Sequence, residues 1–334
     1  MAREASERKP HFFRKLLGFL LVVLLLAAAV GYVIPLFEQD KGEHVDGAED
    51  WMRSLGDDKA LNELAIPGTH DSATKYVTLA FFGKCQTKSV GEQLEAGYRY
   101  LDIRLAADGT QLKLMHGFVN CKTGVLPWSD TLYLDAVLDE CYRFLDAHPG
   151  ETVLFAVKQE HGKESVAEFQ LLLNSYIQKN PERWLLTDTV PTLGQARGKL
   201  VLLRRYADEA GLGWESGIPF CWDSQSGSDD MSLNAAAQDN GSYTLWVQDR
   251  YCYPVEEKWM AFLAGLGLAR AQDGEVSLSF LSTKGTLPFG HPYKYASSLN
   301  LRLLGREIKP TDGWIIVDFA TAPLAKHIYE VNFQ

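Results

Sequence analysis

Between residues 51 and 334, short apolar runs alternate with longer stretches of helical spacing. The runs are Glu63–Ile66, Tyr98–Ile103, Leu112–Met115, Thr152–Val157, Lys199–Leu203, Thr244–Val247, Val276–Phe280 and Trp314–Val317. They are rich in Val, Ile, Leu and aromatics, the pattern of strands covered on both faces. Helical spacing falls between several of them. Leu132, Ala136, Val137, Cys141 and Phe144 follow the third run, and Val166, Phe169, Leu172, Leu173 and Tyr176 follow the fourth. Trp259, Phe262, Leu263 and Leu266 follow the sixth, and Leu324, Ile328 and Tyr329 close the chain. Strands joined by helices predict an α/β fold, a (β/α)8 TIM barrel. The connections around 105–112 and 283–313 look too short or irregular for a full helix, so the barrel is expected to be distorted.

The N-terminus has a different pattern. Arg3, Arg8, Lys9, Arg14 and Lys15 precede an uncharged apolar run from Leu16 to about Phe37, and Glu38, Asp40, Glu43, Asp46, Glu49 and Asp50 follow it. A helix of ~20 residues at about 1.5 Å each spans a hydrocarbon core of ~30 Å. The charge asymmetry puts the basic side in the cytoplasm and the remainder outside. The expected organisation is a basic flank (1–15), a transmembrane signal-anchor or signal peptide (16–37), a polar linker (38–50) and a catalytic barrel (51–334). A long basic region and a long apolar core favour a retained anchor at the cell membrane; cleavage near Ala27-Ala28-Ala29 would instead give a secreted protein.

The polar residues at the strand ends carry the chemistry. In a barrel, active sites lie at the C-terminal ends of the strands. The first run stops at Pro67-Gly68, and His70 and Asp71 follow at once. The second carries Asp102 and Arg104, the third ends in His116 and the fourth in Lys158. The fifth ends in Arg204-Arg205, the sixth leads to Asp249 and Tyr251, the seventh ends near Ser282 and the eighth in Asp318. Charged residues are seldom buried unless paired, so solvation alone does not explain this recurrence. Two histidines can divide base and acid work. Arg and Lys can hold a phosphate and stabilise charge developing on it. No group of carboxylates is large enough to suggest a divalent ion, so metal-free phosphodiester cleavage fits best.

Charge and cysteine content narrow the partners. The net charge of -10 argues against binding nucleic acid or an anionic surface through bulk charge. The five cysteines lack CxxC spacing, which argues against a zinc site. In an oxidising compartment Cys85–Cys121 and Cys221–Cys252 are candidate disulfides, with the connectivity left open by the sequence. His11, His44, His148, His161, His291 and His327 fall in flanks, loops or helix ends and are expected to be solvated. Ala80-Phe81-Phe82-Gly83 and the stretch Trp214–Trp222 lie at strand-end connections, where their aromatics either dip into a bilayer or pack into the core.

IPGTHDS, YLDIR, MHG, ETVLFAVKQE, RGKLVLLRRY, WVQDRY, PYKYASSLN and GWIIVDF occur in this order over roughly 60–334. Together they resemble the bacterial phosphatidylinositol-specific phospholipases C. The resemblance implies a distorted, incompletely closed TIM barrel and a lyase that forms inositol 1,2-cyclic phosphate and diacylglycerol. His70 would be the general base, oriented by Asp318. His116 would be the general acid, assisted by Asp71, and Arg104 would contact the phosphate. Asp102, Lys158, Arg205, Asp249 and Tyr251 would line the inositol pocket. Eukaryotic relatives place calcium where the bacterial enzymes place this arginine, so no cofactor or metal is expected. The implied substrate is phosphatidylinositol, or glycosyl-phosphatidylinositol, in membranes. The cysteine content and a retained anchor depart from the usual secreted members. Other phospholipid head groups and an inactive lipid-binding barrel remain as alternatives. Loss of either histidine or of Arg104 would favour the inactive barrel, and all three are present. A glycosidase would need paired catalytic carboxylates, and histidines hold the prominent strand ends instead.

Overall fold

The structure, a computed structural model, describes residues 2–38, 43–126, 128–226, 236–239, 243–268, 275–286 and 290–334. Residues 39–42 of the expected linker lie outside the described residues. The strands are β1 (Ile66–Thr69), β2 (Tyr100–Asp108), β3 (Gln111–His116), β4 (Val119–Asn120), β5 (Val153–Gln159) and β6 (Trp184–Leu185). They continue as β7 (Leu200–Arg204), β8 (Ile218–Pro219), β9 (Ala236–Asp239), β10 (Thr244–Gln248), β11 (Glu275–Phe280) and β12 (Trp314–Val317). The helices are α1 (Ala2–Ala28), α2 (Ala80–Gly83), α3 (Val90–Glu95), α4 (Leu134–Ala147) and α5 (Val166–Ile177), then α6 (Leu193–Ala196), α7 (Val255–Leu268), α8 (Pro292–Leu304) and α9 (Ala322–Tyr329).

The sheet runs β6-β7-β5-β2-β1-β12-β11-β10-β9 and is parallel from β7 to β10. β9 adds an antiparallel edge, and β8 pairs with β7. Among the described residues no ladder joins the β6/β8 edge to β9, so the barrel is curled but open on one side.

Strand periodicity explains how the core and site share the same strands. Successive side chains point to opposite faces. On β5, Leu154 and Ala156 belong to the inner cluster with Tyr100, Val201, Leu203, Phe280 and Trp314. Val153, Phe155 and Val157 point outward, into a cluster with Val137, Cys141 and Phe144 of α4 and Phe169 and Leu173 of α5. The inward positions therefore read apolar, apolar, polar: Leu154-Ala156-Lys158, Val201-Leu203-Arg205, Leu245-Val247-Asp249 and Trp314-Ile316-Asp318. The apolar pair fills the barrel, and the polar residue two positions on reaches its mouth.

Several expectations need correction. The first strand lies at Ile66–Thr69, not Glu63–Ile66. Pro67 and Gly68 sit inside it and do not end it. Ile66 N donates to Gly313 O, just before β12, and His70 N to Val317 O, so the intervening Pro67 nitrogen faces the β2 edge, ahead of the β1–β2 ladder that begins at Gly68. Gly68 is required because a Cβ there would stand 2.3 Å from Ile316 Cδ1 and 2.7 Å from Tyr100 Cβ. The third run is not a parallel barrel strand. β3 folds back antiparallel on β2, with Asp108 opposite Gln111 and Gly109 at φ +63° in the two-residue turn. A turn this tight makes a hairpin, whereas a parallel return needs a long crossover. The 283–313 connection, expected to be irregular, contains the 13-residue helix α8.

Cys85 and Cys121 are thiols, as are the members of the second proposed pair. The Cys85 sulfur points toward His116 Nδ1 at 4.0 Å, while Cys121 packs in the outer cluster with Leu114 and Leu134. The Cys221 thiol is directed at the carbonyls of Arg204 and Tyr206, 3.5 and 3.6 Å away.

Residues 48–54 form 3-10 turns held beneath the barrel. Fully buried Arg99 donates to the carbonyls of Ala48 and Glu49 and pairs with Glu151 at 2.7 Å. Trp51 stacks on Tyr329 with ring centres 4.8 Å apart. The C-terminal end of the expected linker is thus part of the folded barrel. The helix His11–Leu36, whose most apolar 18 residues have a mean hydropathy of 2.8, is long and apolar enough to cross a membrane.

Candidate active site

His70 leaves the end of β1 with its backbone N–H bonded to Val317 O. Its Nδ1 lies 2.8 Å from Asp318 Oδ1, at the end of the neighbouring β12. Asp71 then turns sharply, with φ 43°, in the left-handed region. Its N–H donates to Asp102 Oδ2 at 3.2 Å. Ser72 locks the turn: its N–H bonds Asp102 O, and its hydroxyl accepts from Asp102 N. This backbone course brings the Asp71 carboxylate back beneath the histidines.

His116 arrives from the hairpin arm, and its Nδ1 donates to Gly83 O at 2.7 Å. Both histidines therefore have Nδ1 engaged and present Nε2 to one cleft. Asp71 Oδ2 is 3.1 Å from Nε2 of His70 and 3.2 Å from Nε2 of His116. Its other oxygen is 3.1 Å from Arg104 Nε. None of these Asp71 contacts has hydrogen-bond angles. Such loose geometry is common in unliganded acid–base sites. The imidazole rings are perpendicular, with centres 6.1 Å apart.

Arg104 and Arg205 converge on Asp102. Arg104 donates through Nε and Nη2 to Oδ2, and Arg205 donates through Nη1 to Oδ1 at 2.9 Å. Burial opposes ionisation of Asp102, but the two guanidinium groups outweigh it and hold its carboxyl well below the usual range. Burial also opposes charge on Arg104, and Asp102, Asp71 and Glu160 keep it firmly cationic. At His70, burial pulls the pKa down, yet Asp71 and Asp318 together raise it above the ordinary value.

The other residues singled out from sequence sit around this centre. Lys158, paired with Arg104 in the β2–β5 register, bridges to Glu160 at 2.7 Å. Arg205 lies over the Trp222 ring at 3.7 Å, and the Trp222 indole donates to Asp249 at 3.1 Å. Tyr251 exchanges a hydrogen bond with Ser224 at 2.9 Å. The fold thus brings His70, Asp71, Asp102, Arg104, His116 and Asp318 into one cluster. Lys158, Arg205, Asp249 and Tyr251 lie along its flank.

Sequence reasoning missed Glu160, Trp222, Gln86 and Cys85 as members of the site. Glu160 had a signal, two positions beyond Lys158 on the same stripe. Gln86, which bonds His70 O, Val317 O and Ala320 N, had none. His291, expected to be solvated, stacks on Phe81 and pairs with Glu38. Of the two aromatic stretches, Phe81 and Trp222 are packed while Phe82 and Trp214 are exposed. Phe118 (64%) and Trp128 (78%) are also exposed, on the segment that carries His116 toward α4.

Donor atoms of His70, Cys85 and Asp318, of Asp71, Cys85 and His116, and of His70, Asp71 and Asp102 lie close enough together to hold a metal ion. Arg104, 3.1 Å from Asp71 and 2.9 Å from Asp102, already supplies the positive charge at this cluster. Burial, with Asp318 and Asp71 beside it, pushes the Cys85 thiol well above its usual pKa.

The curled parallel barrel is similar in fold to solved phosphatidylinositol-specific phospholipases C. A structure of a double mutant of the phosphatidylinositol-specific phospholipase C from Staphylococcus aureus superposes with a TM-score of 0.68, at 27% identity, covering 84% of this chain and 97% of that one. Residues 64–206 match the family model described as phosphatidylinositol-specific phospholipase C, X domain. The 1-phosphatidylinositol phosphodiesterase of Staphylococcus aureus strain Newman is 29% identical over 298 residues, 81% of this chain and 88% of the relative. That of Listeria monocytogenes is 29% identical over 308 residues, 84% of each. The family match ends before Asp249, Tyr251 and Asp318.

Proposed function

We propose that the chain is a phosphatidylinositol-specific phospholipase C that cleaves its lipid by histidine base–acid catalysis. The observation that carries this reading is the placement of both Nε2 atoms on one Asp71 oxygen, with Arg104 on the other. Two proton-transfer groups and a fixed cation then face a single reacting phosphate.

Each residue has a definite task. With Nδ1–H held by Asp318, neutral His70 has a bare Nε2 and takes the proton of the inositol 2-hydroxyl. That oxygen attacks phosphorus, and the bond to the diacylglycerol oxygen breaks. His116 gives its Nε2 proton to the departing oxygen, and Asp71 steadies this proton. Arg104 donates to a non-bridging phosphate oxygen, where negative charge builds in the transition state. The products are diacylglycerol and inositol 1,2-cyclic phosphate. Water then opens the ring, with His116 removing its proton and His70 returning one to the 2-oxygen. Asp102 holds both arginines in place. Lys158, Arg205 and Asp249 offer donors and acceptors to the inositol hydroxyls, and Tyr251 gives the ring a stacking face. The apolar N-terminal helix holds the barrel at a membrane as a retained anchor, with residues 1–15 inside and 51–334 outside.

Phosphorus NMR of the full chain with phosphatidylinositol in mixed micelles and EDTA tests the reading. A cyclic inositol phosphate resonance is expected. Product only with added calcium would overturn the role of Arg104, and no product under either condition would overturn the assignment of substrate.

A further inference from the structure

The N-terminal helix does not end free of the barrel. After Ala28 the chain continues through a π-helical turn, Ala29–Val33, and a 3-10 turn, Ile34–Leu36, with Pro35 buried. Glu38 follows and is 4% exposed. Its carboxylate lies 2.8 Å from His291 Nε2. Lys84 Nζ donates to the Pro35 carbonyl at 2.7 Å.

Both partners grip α2 or its end. Lys84 directly follows α2. His291, the residue before α8, donates from Nδ1 to Phe81 O at 2.7 Å. Its ring stacks face to face on the Phe81 ring, with centres 3.9 Å apart and planes 1° from parallel. Two residues further along α2, the Gly83 carbonyl accepts from His116 Nδ1. The same short turn is therefore held on one side by the segment leaving the apolar helix and holds the second catalytic histidine on the other.

The charge state supports the contact. With Nδ1 already donating to Phe81 O, His291 pairs with the Glu38 carboxylate through Nε2 as the doubly protonated, cationic ring. Burial lowers the His291 pKa, but Glu38 and the Phe81 carbonyl outweigh it, against opposition from Lys294. With Glu38 buried and His291 half-buried, loss of either member leaves the other's charge uncompensated.

We propose that Glu38 and His291 are positioning residues: they dock the end of the N-terminal helix on α2, and α2 in turn sets the orientation from which His116 donates its proton. The inference rests on the catalytic reading above. It makes the apolar helix a working part of the site as well as a tether.

The test uses the full chain in phosphatidylcholine nanodiscs, with Glu38→Gln, His291→Gln and the double variant. Turnover is followed on water-soluble inositol 1,2-cyclic phosphate, which removes lipid capture from the measurement. His116 ring resonances are followed by NMR of histidine-labelled protein. Misplacing a catalytic group by a fraction of an ångström should lower kcat about tenfold with KM nearly unchanged. The double variant should lose no more than the worse single, since the pair acts as a unit. The His116 resonances should move in all three. Unchanged kcat and resonances, a change in KM alone, or losses that multiply would each overturn the proposal. If His291→Gln does not fold, Glu38→Gln decides. If the native chain turns over no substrate, the catalytic reading fails, and the His116 resonances alone decide the docking.

Discussion

Nδ1 of His70 lies 2.8 Å from Oδ1 of Asp318, across the junction of the first and last barrel strands. In the proposed mechanism this contact sets the tautomer of the base, and Asp318→Asn tests it. The amide can present its N–H to Nδ1 and stabilise the wrong tautomer, so kcat should fall by about 10²–10⁴-fold with the fold retained. Circular dichroism and kcat measured together check this outcome.

The pH profile carries a signed expectation. Burial lowers the His70 pKa, but Asp71 and Asp318 outweigh it and leave the net value above the usual one. A general base works when neutral, so kcat/KM should climb as pH rises through this raised pKa. Its acid limb should lie above pH ~6.5, the ordinary histidine value. Asp318→Asn removes one of the raising charges and should move that limb to lower pH in the residual activity. An acid limb unchanged in the variant would remove His70 as the titrating base.

The two histidines should separate by leaving group. His70→Ala should lose about 10²–10⁴-fold on any substrate, because the attacking hydroxyl still needs its proton removed. His116→Ala should lose as much on phosphatidylinositol but far less on an inositol phosphate ester of p-nitrophenol, which leaves without protonation. Equal losses of both variants on both substrates would reverse or cancel the assignment.

Arg104→Ala should raise the barrier by about 3–4 kcal/mol, the scale of losing one donor aimed at developing charge. Arg104→Lys should recover little. Lysine cannot reproduce the paired Nε and Nη2 contacts to Asp102. Steady-state kinetics on mixed micelles reads both variants.

Gly68→Ala probes the packing under the site. The added Cβ would meet Ile316 Cδ1 at 2.3 Å and Tyr100 Cβ at 2.7 Å, and the Tyr100 Cβ is fixed by its own strand backbone. Overpacking of this kind costs about 1–3 kcal/mol, seen as a lower midpoint in urea with the slope unchanged.

Much of this protein was legible along the chain. A period of two within apolar runs separates inner from outer faces, and it marks Arg104, Lys158, Arg205, Asp249 and Asp318 as the polar ends of inward stripes. The pattern is local, so it could be read without a fold. The apolar N-terminal stretch was legible for the same reason, since length and composition alone make it long enough for a membrane.

Other features depend on where distant segments meet. β3 had the composition of a barrel strand, and only its pairing with β2 showed that His116 swings in from a hairpin. Histidine 291 had no local mark distinguishing it from a solvated residue. Its role comes from Glu38 and Phe81, more than two hundred residues away in the chain. The left-handed turn at Asp71 belongs to the same class. Side-chain type and strand period are properties of neighbours in sequence, whereas tautomer, charge and orientation are set by partners in space, and only the tertiary structure brings those partners together.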